Sequence, residues 1–212
     1  INMFYKIDGM ANSRTPTISL ECPHCGHFGA FQNVGADSGI NTNGKTHYFG
    51  QRQCPRPQCK GHIFTVSTGN DLTTSYPPRL ISFDTTNIPE KILESFQEAI
   101  LCHGNDCLKA SAIMIRKTLE EICNDKSTTG KNLYKRLENL SSQIVLPVEL
   151  REAMQELRLL GNDAAHIEAQ TYNEIGKDEI EISIEFTKEI LKGIYQYDSL
   201  LTRLRSLKKK EE

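Results

Sequence analysis

The 212-residue chain contains no tryptophan, and only 7% of its residues are aromatic, so its cores must be filled largely by aliphatic side chains. No apolar run approaches the roughly 20 residues that a membrane-spanning helix needs, which leaves no expectation of a membrane partner. The first residues, Ile1-Asn2-Met3, show no basic stretch followed by an apolar one. No secretory signal is therefore expected, and a cytoplasmic setting is. An excess of one charge is also missing, with 25 Lys and Arg against 27 Asp and Glu. Divided at Leu80, the chain carries 7 basic against 4 acidic residues in its first part and 18 against 23 in the rest, formally +3 and −5. No general electrostatic footprint for RNA or DNA follows, and any contact of that kind has to be local.

What is present is unevenly distributed. Residues 1–85 are rich in Gly, Thr, Ser and Asn and contain short strand-like runs, Thr46-His47-Tyr48-Phe49 and His62-Ile63-Phe64-Thr65-Val66, so they read as a small β unit. Tyr76-Pro77-Pro78 and Leu80-Ile81-Ser82-Phe83 follow as a connector, either a further strand or an extended arm. From Pro89 the apolar spacing becomes helical. Helices are expected over about Pro89 to His103, Asp106 to Asn124, Lys131 to Ser142, Pro147 to Ala169 and Asp178 to Lys208. In the last of these, Ile180, Ile182, Ile184 and Phe186 alternate as a strand would, but the 3.6-residue period resumes through Ile190, Leu191 and Ile194, and the segment is read as helix. The tail from Lys208 to Glu212 reads as a solvated helix end. The fold class is therefore α+β, with a small β unit and connector in 1–85 and an all-α bundle in 86–212.

Four cysteines carry the sharpest chemistry. Cys22-Pro23-His24-Cys25-Gly26 and Cys54-Pro55-Arg56-Pro57-Gln58-Cys59-Lys60-Gly61 each place two thiols at the ends of a tight turn, with Pro and Gly supplying the backbone geometry. Two such knuckles can present four sulfurs, Cys22, Cys25, Cys54 and Cys59, to one zinc ion and close its coordination sphere, which implies a structural role and makes the β unit of 1–85 a zinc ribbon. The second knuckle is longer than the usual spacing, so His24, His27 or His62 could replace one sulfur; four cysteines are preferred. Disulfides are the alternative, disfavoured in a reducing compartment. Cys102, Cys107 and Cys123 lack ligand spacing and read as buried small hydrophobes.

In the fourth expected helix, Arg158, Asn162 and His166 are four residues apart. Each step rises about 6 Å and turns the stripe by about 40°, so the three polar groups share one gently winding face. Gly161, Ala164 and Ala165 beside them are small, and a glycine within a helix costs about 1 kcal/mol relative to alanine, so close approach by another group is expected there.

Arg116 to Cys123, the helix from Leu133 to Leu140, and Arg158-Leu-Leu-Gly-Asn-Asp-Ala-Ala-His166 resemble the domain-of-unknown-function family 4145 over about Ile100 to Tyr195. That family is similar to the HEPN superfamily of helical bundles, whose members are often metal-independent ribonucleases, toxins or RNA-binding subunits of prokaryotic defence against phage, and it also occurs fused to restriction-enzyme subunits. The resemblance implies a HEPN-like bundle that forms homodimers. It also implies a nuclease pattern of arginine, a polar residue and, four positions later, histidine, which falls here on Gly161, Asn162 and His166. The arginine is missing. In active relatives arginine and histidine of two protomers meet and the RNA 2′-hydroxyl attacks its neighbouring phosphate, chemistry for which His166 supplies a near-neutral proton-transfer group and Arg158, one turn early, the only substitute cation.

Three functions remain open. One is a defence-system assembly module in which the ribbon docks a protein or nucleic acid and the bundle dimerises; another is a ribonuclease or toxin using His166 with Arg158 and Asn162. The third is a regulatory subunit whose last helix offers Leu200, Leu201, Leu204 and Leu207 to a partner. Beside the nuclease role of these residues stands a structural one of equal weight, in which Asn162 and His166 hydrogen-bond within the bundle or across a dimer and Arg158 pairs with a carboxylate such as Glu120; Arg116 and Glu120, four residues apart, are expected to form an ion pair. Within the ribbon, Arg52, Arg56 and Lys60 could meet phosphate while Tyr48 and Phe49 stack on bases, although a solvated knuckle rim is the preferred reading.

Overall fold

The computed structural model describes residues 6–69, 71–166, 171–172 and 174–207. Contacts divide the chain into two units, the first running through Ser82 and the second starting at Phe83. Phe83 sits with the helices because its ring meets Phe96 edge to face, with centroids 4.7 Å apart.

The first unit is an antiparallel sheet of β1 (Gly9–Arg14), β2 (Ile18–Glu21), β3 (Phe28–Asn33), β4 (Asp37–Thr42), β5 (Lys45–Gln53), β6 (His62–Thr68) and β7 (Asp71–Tyr76). The long β5 organises it. One edge of β5 pairs first with β4, Thr42 opposite Lys45, and then with β3, Asn33 opposite Arg52, while the other edge pairs with β6 along its length. Asn43 and Gly44 turn β4 into β5, both with positive φ, as a two-residue hairpin between right-twisted strands requires. Alternation along β2 and β6 sends Ile18, Leu20 and Ile63 inward against Phe31, Cys22 and Cys54. The runs around Tyr48 and Phe64 are thus strands, while Leu80 to Phe83 forms none.

In the second unit, α1 (Glu90–Gly104) and α2 (Leu108–Asp125) form a hairpin, followed by α3 (Leu133–Gln143), α4 (Val148–Ala165), α5 (Lys177–Leu191) and α6 (Tyr197–Ser206). Pro89 and Pro147 stand immediately before α1 and α4, where a missing N–H costs nothing. The Asn132 side chain caps α3 by accepting from the Lys135 amide. α2 is the central element, burying Ala112, Ile115, Leu119 and Ile122 and packing on α1, α4 and α5. Along α5, Ile180, Ile184, Thr187 and Leu191 are buried while Ile182 and Phe186 face outward, the period of a helix rather than of a strand. No described helix is long and apolar enough to cross a membrane.

Two expected helices end differently. The last is interrupted by one π-type turn at Lys192–Gln196, which turns Gln196 inward so that its amide donates to the Asp84 and Thr86 carbonyls at 2.8 and 3.2 Å. The fourth stops at Ala165. His166 already has extended backbone, φ −126° and ψ 125°, and an Asp163 carboxylate oxygen accepts from the amides of Thr171 and Tyr172, drawing the chain back along α4. Ile167 to Ala169 and the tail from Lys208 to Glu212, also expected to be helical or frayed, lie outside the described residues.

Candidate metal centre and helical site

Each cysteine pair closes the tip of a hairpin: Cys22 and Cys25 lie between β2 and β3, Cys54 and Cys59 between β5 and β6. In the first tip the Cys22 amide donates to the His27 carbonyl and the Gly26 amide to the Cys22 carbonyl, with Gly26 at φ 68°. In the second the Cys54 amide donates to Gly61, the Cys59 and Lys60 amides both donate to Arg56, and the Gly61 amide points at the Cys59 sulfur at 3.3 Å. The extra residues of the long knuckle are absorbed by that Arg56 turn, with Lys60 at φ 50°.

The four sulfurs converge, all within 4.8 Å of one another, and the pairs Cys22–Cys59 and Cys25–Cys54 are both 3.9 Å apart. A tetrahedron of sulfurs about 2.3 Å from a central zinc has edges of about 3.8 Å, so the donors fit such an ion, whereas a disulfide would need about 2.05 Å. All seven cysteines are free. The His27 backbone amide lowers Cys25 to about 7, while burial pushes Cys54 up to about 12. A divalent ion bound among the four sulfurs would stabilise every thiolate at once. His24 donates instead to the His62 carbonyl at 3.1 Å and His62 to the Gln51 side chain at 2.9 Å, so these two rings brace the knuckles from outside the sulfur cluster. Among the described residues the cluster contains no histidine.

The expected phosphate and stacking residues are placed differently. Arg52 is fully buried and held bidentately by Asp37, at 2.6 and 2.7 Å, so it cannot reach a phosphate. The Tyr48 ring is covered by the Arg14 guanidinium, 3.5 Å from its centroid. Arg56 and Lys60 are exposed on the second knuckle. Among the described residues of this unit, Phe28 on β3 is an exposed aromatic, as are Phe64 and Tyr76, opposite each other on β6 and β7, with the His62 ring edge-on to Phe64. Of the remaining cysteines, Cys123 is buried and Cys102 partly so, but Cys107 is exposed because it precedes α2 in the turn of the α1–α2 hairpin.

In the helical unit, Arg158 and Asn162 lie one turn apart on α4, and His166 is exposed just beyond its end. The three are therefore not one helical stripe. The His166 amide makes the last helical hydrogen bond, to the Asn162 carbonyl at 3.0 Å. Arg158 is committed toward α3, donating from Nε to the Gln155 side chain at 3.0 Å with its guanidinium 5.5 Å from the Tyr134 ring centroid. It does not meet Glu120, which pairs with Arg116 at 3.3 Å.

Gly161 is where α4 touches α2. A Cβ there would lie 2.5 Å from Arg116 Cβ and 2.9 Å from the Ala112 carbonyl oxygen. The Arg116 side chain crosses this spot and donates to the Arg158 carbonyl at 3.2 Å. Sequence reasoning anticipated a close approach at Gly161 but not which element made it. It also missed the brace formed by Asp163 together with Tyr172, whose hydroxyl donates to Glu156 at 2.7 Å.

A family model described as a domain of unknown function, DUF4145, matches residues 97–210, which span the helical site just described. No curated protein and no solved structure matches the chain.

Proposed function

This chain belongs to the DUF4145 family, and we propose from that premise that it is a zinc-binding, HEPN-like assembly module of a prokaryotic defence system rather than a ribonuclease. The packing of Gly161 carries the reading. In the nuclease pattern that position holds the arginine, and here a side chain of any size would run into the Ala112 carbonyl and Arg116 of α2. Arg158 does not take over, since Gln155 and Tyr134 hold its guanidinium, and His166 stands two turns, about 12 Å of helix rise, further along. The cation of the nuclease pattern is thus missing, and charge developing on a phosphorane would lack its usual counterpart.

Cys22, Cys25, Cys54 and Cys59 would hold Zn2+, and the all-sulfur, closed donor set supports a structural role. A four-sulfur tetrahedral site also suits iron, so elemental analysis of the purified protein decides the metal. The ribbon's function is then to present a surface. Phe64 and Tyr76 are exposed across neighbouring strands, which favours stacking on unpaired bases as a second binding mode beside protein docking.

The test is incubation of zinc-loaded protein with labelled RNAs and DNAs in the presence of EDTA, beside His166→Ala and Arg158→Ala variants. No cleavage is expected from any of the three. RNA cleavage by the wild type that disappears in His166→Ala would overturn the non-catalytic reading. Retardation of single-stranded probes that is lost in Phe64→Ala/Tyr76→Ala would support the stacking mode.

A further inference from the structure

We propose that the groove between α4 and α5 receives α6 of a second copy of this chain, an inference that rests on the assembly reading and names the surface through which it works. The groove has a volume of about 420 Å³ and an apolar floor that includes Leu157, Leu160, Ile182 and Phe186. Ile182 is 58% exposed although it sits on a packed helix, so the floor is open to a ligand. Four glutamates, Glu149, Glu152, Glu156 and Glu179, line the same groove, and among the described residues no basic one does. Its occupant should therefore be apolar along one face and positively charged beside it.

α6 has that composition. It buries none of its ten residues. Leu200, Leu201, Leu204 and Leu207 recur at three- and four-residue intervals, with Leu204 64% and Leu207 80% exposed, and Arg203 and Arg205 stand between them. Such a stripe in solvent is a helix awaiting a groove.

The helix cannot fill the groove of its own chain. From Lys177 to Ser206 the backbone stays helical through α5, the π-type turn and α6, with Lys192, Gln196 and Tyr197 all in right-handed helical conformation. Leu204 is 18 residues beyond Phe186, which places it about 27 Å further along the helix. A second chain must supply the occupant. Two copies exchanging α6 reciprocally would form a closed twofold pair in which both leucine stripes and both glutamate rims are matched.

Among the described residues, the Glu149 and Glu152 carboxylates have no partner, so reversing them breaks no internal bond. The experiment measures the solution mass of the full chain by sedimentation across a concentration series. The wild type should be a dimer. Leu200→Glu/Leu204→Glu should be monomeric with an unchanged helical circular dichroism signal, because α6 buries nothing at home. Arg203→Glu/Arg205→Glu and Glu149→Arg/Glu152→Arg should each weaken the dimer about tenfold or more through like-charge juxtaposition. A chain carrying both reversals should regain it. A monomeric wild type, a dimer indifferent to the α6 variants, or a failure of the combined reversal to restore the dimer would each overturn the proposal. The second and third results would leave dimerisation itself standing, and only RNA cleavage bears on the non-catalytic reading.

Discussion

Arg52 shows how far a single side chain can depart from its appearance in sequence. Flanked by Gln51 and Gln53 on a strand beside a knuckle, it reads as a surface cation. In the fold it is wholly buried, and its partner Asp37 comes from β4, fifteen residues earlier. Gly50 makes the room, since a Cβ there would overlap the Asp37 carboxylate. Truncating Arg52 would leave that carboxylate buried and uncompensated, so Arg52→Ala should lower stability by about 3–5 kcal/mol in urea unfolding of the metal-loaded protein. Tyr195 makes a second case. Burial, and then donation to Asp125 at 2.8 Å, hold its hydroxyl protonated far above the usual tyrosine range. Tyr172 is likewise pushed up to about 12, first by burial and then by Glu156. Because the folded values are raised, the stabilisation is complete below the unfolded value of about 10 and is lost as pH rises toward the folded ones. Unfolding free energy should then fall above pH 10 by at most about 1.4 kcal/mol per pH unit for each tyrosine. Tyr195→Phe, measured at the same pH values, should flatten that decline.

Gly161 governs an element contact rather than a site. Alanine is better than glycine inside a helix by about 1 kcal/mol, yet the clash with Arg116 and the Ala112 carbonyl should outweigh that gain. Gly161→Ala should therefore destabilise the helical unit by about 1–3 kcal/mol in thermal or denaturant melts followed by circular dichroism. A melting temperature that rises instead would show that α2 and α4 can separate freely. Gly161→Arg, which restores the nuclease pattern on paper, should lower stability further and produce no RNA cleavage. The helices themselves were legible from apolar periodicity and from Pro89 and Pro147. Their ends were less so, because the cause lay elsewhere in the chain: Thr171 and Tyr172 amides reach back to Asp163 where α4 stops, and the Asp84 and Thr86 carbonyls meet Gln196 at the π-type turn.

The molecule as a whole has two cores of unequal size. The helical unit is filled by Ile, Leu, Phe96 and Met154, whereas the β unit relies on Ile18, Leu20, Phe31 and Ile63 around cysteines that are themselves part of the core. A core that small is normally held by a metal or by disulfides, and structural zinc sites supply on the order of 10 kcal/mol or more. Dialysis against a strong chelator should therefore expose the β unit to limited proteolysis while a fragment from about Phe83 onward keeps its helical signal. Acidification should act in the same direction, because the thiolates must take up protons to release the ion. Proteolysis of the chelated protein that matches the untreated protein would mean that no metal holds the four sulfurs.

By itself, the sequence determined the change from β to helical periodicity near Pro89, the position of most helices, and the grouping of Cys22, Cys25, Cys54 and Cys59. Those signals are local or repeat at short intervals, so tertiary contacts were not needed to read them. Tertiary structure alone decided that Arg52 is buried, that Gly161 is filled by Arg116, that α4 stops before His166, and that α6 lies bare while an acidic groove stands open. Each depends on which distant segment is brought alongside, and a side chain's role is set by those neighbours rather than by its own chemistry.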